Sequence, residues 1–81
     1  MSIQNLSRND SIRCKITGHN QNECFLSIIG LDENPVMRLY DMFIPAGSIV
    51  LVSIRKISED QKHIKVCLDS IMYSIEQDFA A

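Results

Sequence analysis

Between residues 11 and 68 this chain consists of short runs in which apolar residues recur at every second position, each run broken by turn-forming residues. A two-residue period places alternate side chains on opposite faces of an extended strand, so each run reads as a half-buried strand. "SIRCKITG" (11–18) sets Ile12, Cys14 and Ile16 on one face and Arg13, Lys15 and Thr17 on the other. "CFLSIIG" (24–30) turns Cys24, Leu26 and Ile28 inward and Phe25, Ser27 and Ile29 outward. "VMRLYDMF" (36–43) puts Met37 and Leu39 inside, Arg38 and Tyr40 outside. "IVLVSIRKI" (49–57) buries Val50, Val52 and Ile54 and exposes Leu51, Ser53 and Arg55. "HIKVCL" (63–68) buries Ile64, Val66 and Leu68. The connections "GHNQNE", "LDENP", "IPAGS" and "SEDQKH" hold the residues that turns prefer.

The period changes after Asp69. Ile71, Ile75 and Phe79 recur every four residues and Met72 joins their stripe, which predicts a short amphipathic helix over 70–81, capped by Asp69 or Ser70. So short a helix is not stable alone and has to dock on the strands. Residues 1–10 are polar and read as a flexible N-terminal segment. The predicted architecture is all-β: a small five-stranded OB-fold barrel over 11–69, the Greek-key arrangement that removes sheet edges, with a short C-terminal α-helix over 70–81 packed on it. The length of 81 residues allows one core only, since a domain of this size buries about 60–65% of its unfolded surface.

Charge distribution is more informative than net charge, which is −2. Six cations, Arg13, Lys15, Arg38, Arg55, Lys56 and Lys65, fall on predicted strands, whereas the acids fall at strand ends, in turns or in the predicted helix. A cationic face with outward aromatics is how OB-folds bind single strands. Arg13, Lys15, Arg38, Arg55 and Lys65 are the candidates for neutralising phosphates, and Phe25 and Tyr40 for stacking bases. The helical stripe of Ile71, Met72, Ile75 and Phe79 either closes one end of the barrel or presents a groove to a partner.

Other chemistries find little purchase. Cys14, His19 and Cys24, and separately His63 and Cys67, are zinc-type residues, but Cys14 and Cys24 fit core positions and close cysteine pairs are missing. No metal or cofactor is expected. The glycines Gly18, Gly30 and Gly47 are isolated, so there is no phosphate loop. No nucleophile, base and orienting group come together, so no enzyme is expected. Three cysteines without CxxC spacing read as reduced thiols of an intracellular, cytoplasmic protein. No apolar run approaches a membrane span, and "MSIQNLSRND" lacks the pattern of a signal peptide.

The stretch "PAGSIVLVSIRKISEDQKHIKVCLDSIMYSIE" resembles the second half of the OB domain of translation initiation factor 1A, the counterpart of bacterial initiation factor 1. The likeness lies in the turn "AGS", the strand "IVLVSIR" ending in Arg55, the turn "SEDQK", the strand "HIKVCL" and the segment "SIMYSIEQDF", with "VMRLYDM" similar to the family's third strand. It extends over about residues 12 to 79. The resemblance implies a cytoplasmic, non-enzymatic RNA-binding module acting on the small ribosomal subunit or another structured RNA. The family's basic segment between strands three and four is absent, because Asp41-Met42-Phe43 runs directly into Ile44-Pro45-Ala46-Gly47. The alternative expectation is a protein–protein interaction module, a subunit or adaptor using the "LDEN" loop and the C-terminal helix.

Overall fold

The computed structural model describes residues 6–31 and 35–74. They form an antiparallel five-stranded sheet: β1 (Ser11–His19), β2 (Glu23–Ile28), β3 (Arg38–Tyr40), β4 (Ile49–Ile57) and β5 (Ile64–Tyr73), in the spatial order β3-β2-β1-β4-β5. Alternation decides what is buried. Ile12, Cys14 and Ile16 of β1, Cys24, Leu26 and Ile28 of β2, Leu39 of β3 with Met37 just before it, and Val50, Val52 and Ile54 of β4 make the core. Ile64 of β5 joins them, with Val66 and Leu68 half-buried at its margin. Each fully buried isoleucine, leucine, valine or methionine contributes about 1.5–3 kcal/mol on leaving water.

The turns use the chemistry their residues offer. Asn20 Oδ1 accepts from the backbone N–H groups of Asn22 and Glu23, both at 3.0 Å, and closes the β1–β2 hairpin. In the turn before β4, Ser48 N donates to Pro45 O at 3.1 Å while Gly47 holds φ 95°. A type II turn requires that positive φ at its third residue. Gly47 N then donates to Ile16 O at 2.7 Å, tying the turn to β1. Asp41, at φ 59°, ends β3 well short of the predicted 36–43 run. Beyond it Phe43 turns outward and meets His19 edge-on at 4.5 Å between ring centroids.

The start of the predicted C-terminal helix is corrected. Ser70 to Tyr73 continue β5, which runs ten residues to Tyr73 and pairs Ser70 with Leu51, Ile71 with Val50 and Tyr73 with Ile49. The reason is the length of β4. A β5 ending at Leu68 would leave one backbone edge of Ile49–Leu51 without partners, and buried backbone groups demand them. Two register shifts, between Ile49 and Val50 and between Leu51 and Val52, let the strand continue. Ile75 and Phe79, the rest of the predicted stripe, lie outside the described residues.

Among the described residues β3 and β5 are the edges of the sheet, and the chain just ahead of each forms one isolated parallel bridge, between Val36 and His63. There Val36 N donates to Lys62 O at 2.6 Å and Ile64 N donates to Val36 O at 3.0 Å. No helix among the described residues is long and apolar enough to cross a membrane.

Candidate functional site

Beside that bridge, between the two edges, lies a cleft of about 940 Å³. Leu39 and Met42 on one side and Ile64, Val66 and Leu68 on the other give it an apolar floor. Arg38 and Tyr40 rise from β3; Arg55, Lys56 and Lys65 rise from β4 and β5. Four of the chain's eight Lys and Arg residues thus line one cleft, and no carboxylate is among its lining residues. Its volume is at the upper end of the range for small-molecule sites. Tyr40 is 60% exposed there, so its ring is open to a flat partner.

Of the residues singled out from the sequence, Arg38, Tyr40, Arg55 and Lys65 come together in this cleft. Phe25 lies one strand away, half-buried on β2 opposite Arg38. The Arg38 guanidinium lies 5.3 Å from the centre of its ring. Arg13 and Lys15 are exposed on β1, outside the cleft, with Leu51 and Ile49 of β4 as their cross-strand neighbours. Ile71 and Met72 stand exposed at the far end of β5.

The cations of the cleft are not equivalent. Arg38 Nη1 lies 3.2 Å from Glu23 Oε2. That oxygen is buried and the approach is not aligned as a hydrogen bond, so the pair is held by charge. Among the described residues no carboxylate lies within ion-pair distance of Arg55, Lys56 or Lys65.

Lys56 is the residue that sequence reasoning missed. Strict alternation from Ile54 puts position 56 inside, where a lysine does not belong. The structure resolves the conflict with a β-bulge: Ile54 opposes Val66, but Lys56 opposes Lys65, so Arg55 is an inserted residue. Arg55 and Lys56 together face Lys65, and the next pair, Ile57 and Ile64, brings apolar residues opposite each other again. A charged residue at a nominally inward position was the available signal.

The adjoining β4–β5 turn is built around Asp60. Its carboxylate accepts from the Ser58 hydroxyl and from the Lys62 backbone N–H. These bonds, the hydroxyl first, hold its carboxyl below the usual aspartate value, so their contribution is present at neutral pH and is lost as pH falls through the lowered value. Among the described residues no three His, Cys, Asp or Glu side chains converge as metal ligands. No family model matches the sequence, and neither a curated protein nor a solved structure matches it significantly.

Proposed function

We propose that the chain is a cytoplasmic, non-enzymatic RNA-binding module on an OB-type barrel, similar in kind to translation initiation factor 1A. Its target is the small ribosomal subunit or another structured RNA. Strand order supports the barrel: β3-β2-β1-β4-β5, with a parallel Val36–His63 bridge just ahead of β3 and β5, is compatible with closure of a five-stranded Greek-key barrel. The observation that carries the function is the cleft itself, where half of the chain's Lys and Arg meet without an acid among the lining residues, despite a net charge of −2. Phosphate neutralisation dominates affinity for nucleic acid, so local charge density matters more than the molecular total. Tyr40 supplies a stacking surface, worth about 1–3 kcal/mol per base.

The test is co-sedimentation with small ribosomal subunits at low and moderate salt, wild type beside Arg55→Glu. Saturable binding that weakens steeply with salt, and more than tenfold in the variant, is the expected result. Absence of binding at low salt would remove the proposal. A second reading, a protein-interaction subunit, draws on the free edge of β5, where Ile71, Met72 and Tyr73 are 49%, 52% and 60% exposed. An apolar edge that pairs with no further strand among the described residues is a template for another strand, and binding through it would change little with salt.

A further inference from the structure

Lys56 and Lys65 are direct partners in an antiparallel ladder. Like charges in that position repel and destabilise the pairing. The bulge then adds Arg55 to the same side of the cleft. A second hollow of about 650 Å³ adjoins it, lined by Arg8 together with Arg55 and Lys56. Arg8 is brought there because Asn9 N donates to Ile54 O at 2.8 Å and Ile54 N donates to Asp10 O at 2.9 Å.

The acids of the described residues are engaged elsewhere or exposed. Glu23 faces Arg38, Asp60 is bonded within its turn, Asp69 accepts from the Ser53 hydroxyl, and Asp10 accepts from Ser7 N. Asp41 and Glu59 are exposed, and neither is within ion-pair distance of these cations. Among the described residues, then, positive charge gathers at a bulge with no carboxylate beside it, which is the electrostatic setting an anion favours.

We propose that Arg55, Lys56 and Lys65, with Arg8 at the margin, form a binding site for a phosphate group. The site deepens the RNA reading by placing the nucleic-acid backbone at the β4 bulge. Bases are left to Tyr40 and the apolar floor. Arg38 lines the same cleft but stands apart from these three, because Glu23 offsets its charge and Phe25 lies against its guanidinium. Only the source of the phosphate rests on the RNA proposal; free phosphoanions offer the same chemistry.

The experiment compares wild type, Lys56→Gln, Lys65→Gln, the double variant and Arg38→Gln in two measurements. The first is thermal melting with and without inorganic pyrophosphate at low and high salt. Without ligand at low salt each lysine variant should melt above wild type, and the difference should vanish at high salt as repulsion is screened. Pyrophosphate should raise the melting temperature of wild type and Arg38→Gln but not of the double variant. The second is fluorescence anisotropy of a labelled 12-nucleotide oligouridylate. Affinity should fall about tenfold in the double variant and the log–log salt slope should lose about 1 to 1.5, at roughly 0.7 per phosphate contact on a single strand.

Lysine variants that melt like wild type and keep its pyrophosphate and oligonucleotide responses would overturn the site. Oligonucleotide binding that survives unchanged in the double variant would overturn the site and leave the RNA reading standing. Pyrophosphate stabilisation confined to wild type and Arg38→Gln, with no oligonucleotide bound, would uphold the phosphate site and overturn RNA as its source.

Discussion

Burial pushes the Cys14 thiol from its ordinary 9.0 up to about 12, because the thiolate would sit among the apolar side chains of the core. Cys24 is equally enclosed and lies with its sulfur 3.3 Å from the Met42 carbonyl, whereas Cys67 is exposed on β5. A thiol reagent at neutral pH should therefore modify Cys67 alone in the native protein, and all three cysteines after denaturation. Native labelling of Cys14 would contradict its burial. The pH dependence has a definite sign. A neutral buried thiol binds its proton more tightly than an unfolded one, so its contribution is fully present below 9.0 and is lost as pH climbs from there towards about 12. Unfolding in urea at pH 8 and pH 10.5 should show lower stability at the higher pH, and Cys14→Ala should flatten that difference.

At the scale of the element, β5 is one strand with two environments. Ile64 at its start is 3% exposed, in the core, while Ile71 near its end is 49% exposed on the outer edge of the described sheet. Ile64→Ala should cost about 2–5 kcal/mol of unfolding free energy, as buried isoleucine deletions do. Ile71→Lys should change stability by less than about 0.5 kcal/mol. Urea titrations of both variants decide this, and a large loss for Ile71→Lys would mean that the edge is covered. The same strand shows why periodicity misled at its far end. Ile71, Ile75 and Phe79 at intervals of four satisfy a helix, but β4 needed a partner for Ile49–Leu51, and that need is invisible in residues 70–73 themselves. Helical spacing over so few residues is a weak constraint beside an unfilled backbone ladder.

For the molecule as a whole, the Val36–His63 bridge ties the chain ahead of β3 to the chain ahead of β5, and both of its residues line the cleft. Val36→Pro removes the N–H that donates to Lys62 O at 2.6 Å. It should lower stability by about 1–3 kcal/mol and weaken oligonucleotide binding, because β3 and β5 no longer hold the walls of the cleft at one spacing. Faster amide exchange at Ile64 in the variant is the accompanying sign. Unchanged binding would mean that the cleft does not depend on that seam.

Alternation alone located the five strands, though not the ends of β3 and β5, and the inward set from Ile12 to Ile64, while Val66 and Leu68 are only half-buried; a two-residue period is local and acts wherever one face meets a core. It also placed Arg38, Tyr40, Arg55 and Lys65 outward, although not in one place. Their convergence, the exclusion of Arg13 and Lys15 from the cleft, the pairing of Arg38 with Glu23 and the recruitment of Lys56 were decided by tertiary structure. Each depends on which strands become neighbours and where a register slips by one residue. Those outcomes follow from strand pairing and register: β3 and β5 are brought together from distant parts of the chain, and the bulge at Arg55, although inside one hairpin, shifts the very alternation by which a strand is read.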